Sequence, residues 1–214
     1  MIFDGWMAAA AVFATIYGAG YCWRESVGWP RSLIKTGSMA LLALAGLALS
    51  APVWVVLGLA FGALGDFFLS RPGSKAFLAG MAAFAIGHLA YALFFVGGVG
   101  WGVFDWRIGA VLALLGLAAT TELWLAPRTD ALHWPVRGYV VVITLMGIAA
   151  LGQNAPVLWL GAGLFILSDV LLALALFVFP TAAWRWVMAV TLWPAYWIGQ
   201  FLILQGALAV EFTG

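Results

Sequence analysis

Two aspartates stand where a chain rarely keeps a charge. Asp66 lies in "LGLAFGALGDFFLS" and Asp169 in "GLFILSDVLLALAL", stretches otherwise made of hydrocarbon and small residues. An ionisable side chain in such a segment costs about 3 kcal/mol on insertion scales and marks a functional site by default. Two carboxyls converging in an apolar pocket can divide proton-transfer work. Burial and the neighbour's charge keep one protonated as the acid while the other accepts. Further polar groups recur at helical spacing. His88 and Tyr91 are three residues apart, and Tyr196 and Gln200 are four apart, so each pair shares one helix face. Lys35, Tyr139 and Ser168 are further polar groups at or inside apolar runs. Taken singly, a Tyr or Gln in such a run is interhelical hydrogen-bonding glue, and a lone His is a satisfied core residue. A purely structural role for two aspartates in separate runs is harder to sustain.

Other chemistries fit less well. The chain has two histidines, His88 and His133, and one cysteine, Cys22. No close-spaced ligand pair points to a catalytic metal, so no metal or other cofactor is expected. Ser168 lacks the G-x-S-x-G turn of a nucleophilic serine.

The elements that must position these groups follow from composition. Of 214 residues, 66% are hydrophobic and 8% charged, and the mean hydropathy is +1.11. Too little charge is present to cover a surface facing water, so the chain is read as an integral membrane protein. A net charge of +1 leaves no nucleic-acid footprint. Runs of about 20 apolar residues cross a bilayer. Polar and Pro-rich punctuation gives eight such runs, at 6–23, 33–50, 52–70, 77–97, 108–125, 136–152, 156–179 and 184–207. The expected fold is all-α, a single eight-helix transmembrane domain over 1–214, with tight hairpins at "LSAP" and "GQNAP". Asp4 stands where a signal peptide would carry basic residues, so the amino terminus is read as the first span.

Arg24, Arg31, Lys35, Arg71, Lys75, Arg128, Arg137 and Arg185 fall in or beside connections 1–2, 3–4, 5–6 and 7–8, against Arg107 alone on the other side. The positive-inside rule puts those four connections in the cytoplasm and both termini outside. Short loops and the lack of sorting signals suit a bacterial inner membrane. The polar groups are then expected to meet in one pocket open towards the cytoplasm. Gly62, Gly65 and Gly87 permit close helix approach.

Gly65-Asp66, then Phe77, Gly80, Phe84, His88 and Tyr91, then Phe165 with Ser168-Asp169, then Tyr196-x-x-x-Gln200, resemble the signature of the YhhN-like, or lysoplasmalogenase, membrane proteins. Lys35 and Tyr139 occupy matching positions, although Thr36 follows Lys35 where the family has proline. The likeness runs from about 33 to 204. It implies an enzyme that hydrolyses the vinyl ether bond of lysoplasmalogens, giving a fatty aldehyde and glycerophosphocholine or glycerophosphoethanolamine. The substrate partner is thus a lysophospholipid within membrane lipid.

Such hydrolysis starts with protonation of the alkenyl carbon and passes through an oxocarbenium ion, as paired carboxyls permit in glycoside hydrolysis. On this reading Asp66 and Asp169 are the catalytic pair, and His88 relays protons. Tyr91 and Tyr196 orient the pair, and Gln200 positions water or the glycerol hydroxyl. Tyr139 and Ser168 contribute to the substrate pocket, and Lys35, Arg71 and Lys75 hold the phosphate. The rival class is a proton-coupled transporter or ion carrier, because intramembrane Asp and His also build proton relays.

Overall fold

A segment surrounded by hydrocarbon has to satisfy its own backbone hydrogen bonds, and each apolar run of this chain does so as a helix. The structure, a computed structural model, describes residues 4–24, 28–97, 106–179 and 181–211. Among them are eight α-helices: α1 (Gly5–Gly20), α2 (Trp29–Ala48), α3 (Val53–Leu69), α4 (Ser74–Val96), α5 (Arg107–Trp124), α6 (His133–Leu151), α7 (Pro156–Ala173) and α8 (Ala182–Glu211). No strand occurs among the described residues. Five stretches are long and apolar enough to cross a membrane, and they contain α4 to α8. Helices α1 and α3 are apolar but shorter, at 16 and 17 residues.

The helix starts follow from local chemistry. Asp4 caps α1 by accepting from the Met7 backbone N–H at 2.8 Å. Proline occupies the first turn of α2 and of α7, where its missing N–H costs nothing. Pro30 thereby starts α2 at Trp29, four residues earlier than hydropathy suggests. The "LSAP" hairpin closes through Ser50, which takes the left-handed conformation with φ 56°. The Ala51 N–H reaches the Gly46 carbonyl at 2.8 Å and the Ser50 N–H reaches Leu47 at 3.2 Å, a Schellman closure with serine in the usual glycine place. Helix α7 runs on into a π-turn at Leu174–Val178.

Packing brings the two halves of the chain together. Helix α3 lies on α4 and α7 lies on α8, while α4 also packs against α6 and α8 touches α1, α2 and α3. The α7–α8 contact is backbone on backbone. A Cβ on Gly161 would sit 2.8 Å from the Gly199 carbonyl oxygen, and one on Gly199 would meet the Gly161 carbonyl at 2.8 Å. The α3–α4 contact seats rings over glycines instead, Tyr91 on Gly58 and Phe84 on Gly65. Helix α5 stands at the edge, with Thr121 its one buried residue.

Candidate active site

Asp66, near the end of α3, is fully buried. Lys35 of α2 places its Nζ 2.7 Å from Oδ1, and the Tyr196 hydroxyl of α8 donates to Oδ2 at 3.0 Å. An ammonium at this distance from a buried carboxylate makes an ion pair, and the tyrosine satisfies the second oxygen.

Asp169 of α7 has a different set of partners. His88 of α4 puts Nε2 at 2.9 Å from Oδ2, and the Tyr139 hydroxyl of α6 donates to Oδ1 at 3.2 Å. The Tyr139 oxygen is also 3.2 Å from His88 Nε2. On the other side of the imidazole, Nδ1 lies 3.2 Å from the Met146 sulfur. A thioether only accepts hydrogen bonds, so the tautomer with its proton on Nδ1 is the one that uses this contact. In that tautomer Nε2 and Oδ2 have one proton to share between two basic atoms. The Phe165 ring lies against the imidazole at 4.2 Å between centroids, which covers one of its faces.

Phe84 and Phe165 stand between the two carboxyl clusters, each in edge contact with the other and with Tyr196. One helical turn further along α4 and α8, the Tyr91 hydroxyl donates to Gln200 Oε1. Both residues are fully buried, and neither lines the two cavities beside the carboxyls. Ser168 donates to the Phe165 carbonyl at 2.7 Å.

The first of these, a polar cavity of about 520 Å³, is lined by Asp66, Asp169, Lys35, Ser168 and Tyr196, together with Arg24, Arg31 and Arg185. The second, an apolar groove of about 90 Å³, runs between α4, α5, α6 and α7, with Tyr139 in its wall. The two spaces share Leu69, Phe84, Leu172, Leu176 and Asp169. Asp169 is the one ionisable side chain among the described residues that faces both.

Asp66, Asp169, Lys35, Ser168 and Tyr196 thus share one cavity, with His88 and Tyr139 bonded to Asp169. Tyr91 and Gln200 bond each other rather than either carboxyl. Arg71 also differs from expectation. It donates to Ser32, lies over the Trp29 ring at 4.3 Å, and lines neither cavity. Lys75 is exposed and lines neither as well.

Sequence reasoning misses Met146, for which no signal exists, and the cavity-facing role of Arg31. The latter has a signal in its spacing of four from Lys35 on α2. Among the described residues no group of three His, Cys, Asp or Glu side chains is placed to hold a metal ion.

The family model described as the YhhN family matches residues 30–207. Lysoplasmalogenases of Mycobacterium bovis and Mycobacterium tuberculosis are each 31% identical over 184 residues, covering 79% of this chain and 67% of the relative. Lysoplasmalogenase TMEM86A of Bos taurus is 32% identical over 165 residues, which is 72% of this chain and 65% of the relative. The chain therefore spans about two thirds of the length of these relatives. No solved structure matches it.

Proposed function

This chain belongs to the YhhN family, and we propose that it is a lysoplasmalogenase-like membrane hydrolase that cleaves the vinyl ether bond of a lysophospholipid. The observation that carries this reading is the position of Asp169, bonded to His88, where a polar cavity meets an apolar groove. A lysolipid has that same division. Its headgroup and glycerol suit the polar cavity, its alkenyl chain suits the groove, and the bond to be cleaved lies at their boundary.

The reaction needs a proton first. The one shared by His88 and Asp169 goes to the alkenyl carbon distant from the ether oxygen, forming a C–H bond as the double bond opens. Positive charge then develops across the neighbouring carbon and the ether oxygen. The Asp66 carboxylate, paired with Lys35, stabilises that oxocarbenium ion electrostatically. Water adds to the cationic carbon and returns its proton to the His88–Asp169 pair. The hemiacetal collapses when its hydroxyl proton reaches the departing glycerol oxygen, and aldehyde and free alcohol leave. Tyr139 and Tyr196 hold the two carboxyls in place, and Ser168 lines the space beside them. Tyr91 and Gln200 brace α4 against α8 beneath the site, which fixes His88 and Tyr196 in register.

The wider setting belongs to the same proposal. The eight helices form a single transmembrane domain with both termini outside, embedded in a bacterial inner membrane. Its support is the one-sided distribution of basic residues along the chain.

The test is aldehyde release by purified protein in detergent, with a lysoplasmalogen against an ester lysolipid of equal chain length. Turnover of the vinyl ether alone is expected, and a transporter would yield no aldehyde there. Equal release of fatty product from both lipids, or from neither, would overturn the assignment.

A further inference from the structure

Three arginines from two connections far apart in sequence reach the polar cavity. Arg24 follows α1, Arg31 lies in the first turn of α2, and Arg185 lies in the first turn of α8. We propose that they form the headgroup end of the site and select a lyso-ether lipid ending in a phosphate monoester over its phosphocholine or phosphoethanolamine counterpart. This inference rests on the lysolipid reading above.

Charge is the first argument. The described lining residues include four basic side chains and two carboxylates. Asp66 is held by Lys35, and Asp169 by His88. A headgroup that carries an ammonium beyond its phosphate has to bring that cation into an arginine-lined mouth. A terminal phosphate brings up to two negative charges there instead.

Geometry is the second argument. Arg31 donates from Nε to the Tyr21 carbonyl at 3.4 Å, and its guanidinium lies 5.9 Å from the Tyr17 ring. Arg24 lies 5.8 Å from the Tyr21 ring. Guanidinium groups braced against aromatic faces present their N–H fork with little further loss of freedom, and that fork matches phosphate oxygens bidentately.

The third argument is spacing. Arg31 precedes Lys35 by one turn of α2, about 6 Å along the axis. The Arg31 level therefore lies one turn outward from the Lys35–Asp66 pair. Three glycerol carbons separate the ether oxygen from the phosphate of a lysolipid, which suits that offset. A cavity of about 520 Å³ is within the range of small-ligand sites.

The experiment is equilibrium binding by isothermal titration to the whole protein in detergent. The probe is a saturated 1-O-alkyl-glycerol 3-phosphate, which has no vinyl ether to cleave, and it is compared with the phosphocholine analogue of the same chain. The phosphate probe is expected to bind at least about tenfold tighter, since one charge-assisted contact is worth that much. Arg24→Gln, Arg31→Gln and Arg185→Gln should each remove much of the preference. Lys75→Gln, at an exposed residue that lines neither cavity, should leave it unchanged.

Glycerol 3-phosphate without a chain should bind far more weakly than the lipid. Binding as tight as the lipid's would reassign the arginines to a soluble phosphate ester and overturn the proposal. Equal affinity for the two lipid probes, or preference retained in all three folded arginine variants, would also overturn it. The readout requires no turnover. Headgroup preference without aldehyde release sinks the hydrolase and leaves the subsite, whereas aldehyde release without headgroup preference does the reverse.

Discussion

Asp66 and Asp169 occupy corresponding places on α3 and α7, yet they are held in opposite ways. The parallel goes beyond the aspartates. Lys35 on α2 precedes Asp66 much as Tyr139 on α6 precedes Asp169, and both partners bond the carboxyl on the following helix. The last partner is exchanged between halves. His88 of α4 bonds Asp169, and Tyr196 of α8 bonds Asp66. Each carboxyl therefore depends on both halves of the bundle being packed together. The chemical difference lies in the first partner. Asp66 faces the ammonium of Lys35, whereas Asp169 faces a phenol and an imidazole. Exposure follows the same line, at 1% for the Asp66 side chain and 9% for that of Asp169. In the proposed reaction the first is the charge beside the cation and the second is the proton carrier at the cavity wall.

The sharpest way to break this contrast is to remove one charge at a time. Asp169→Asn should cut turnover by about 10²- to 10⁴-fold, the usual worth of a positioned acid or base. Its melting temperature should stay near that of the parent, because His88 can remain neutral. Asp66→Asn should lose turnover too, but with a loss of stability of about 1–3 kcal/mol, since it leaves the partly exposed Lys35 without its carboxylate. Lys35→Met combined with Asp66→Leu should recover most of that stability while turnover stays absent. Thermal unfolding in detergent beside the aldehyde assay reads both quantities. If Asp66→Asn melts like the parent and Asp169→Asn does not, the roles assigned to the two carboxyls are reversed.

A second contrast separates the two helix pairs that carry the aspartates. The α3–α4 pair closes through rings seated on glycines, but the α7–α8 pair closes backbone to backbone. A methyl at Gly161 would meet the Gly199 carbonyl oxygen at 2.8 Å and the Ile203 nitrogen at 2.9 Å, and neither can move alone. Gly161→Ala should force α7 from α8 and cost about 1–3 kcal/mol, as overpacking does. Gly163, two residues on, has nothing within 4 Å of its would-be Cβ. Gly163→Ala should stay within about 1 kcal/mol of the parent. Equal melting of the two variants would show that the glycine contact does not set the α7–α8 spacing.

Much of the fold and part of the site are legible in the amino-acid sequence. The apolar runs mark the helices to within a few residues, because hydrocarbon tolerates little else than a helix there. Asp66 and Asp169 announce themselves because charge in such a run needs a reason. What partners them is less accessible. Lys35 and Asp66 are separated by an entire hairpin, and nothing in one dimension distinguishes a lysine turned inward to an ion pair from one at the rim. Arg71 reads as a phosphate ligand by its position along the chain, yet Trp29 captures its guanidinium, a contact set by how α2 and α3 happen to cross. Ser50 in a left-handed turn carries no sequence signal either, since glycine or asparagine is the residue that advertises one.

The smallest expected effect tests the proton carrier most directly, because it concerns a sulfur atom that takes no part in the reaction. Met146 is fully buried, and its thioether is placed to accept from a proton on His88 Nδ1. Met146→Leu conserves volume, so stability should fall by less than about 1.5 kcal/mol. Without the acceptor, Nδ1–H is left unsatisfied, and the tautomer with its proton on Nε2 becomes competitive. That tautomer donates to Asp169 and turns it into a second fixed carboxylate. Turnover should therefore drop by about tenfold, the worth of roughly one hydrogen bond, with KM unchanged. The chain has two histidines, so ¹⁵N-histidine spectra of the parent and of His133→Gln assign His88 without ambiguity. The parent should give a protonated Nδ1, and Met146→Leu should move population to protonated Nε2. A parent already protonated at Nε2 alone would make Asp169 an anion like Asp66, and the difference between the two carboxyls would then have to come from solvent access rather than from a shared proton.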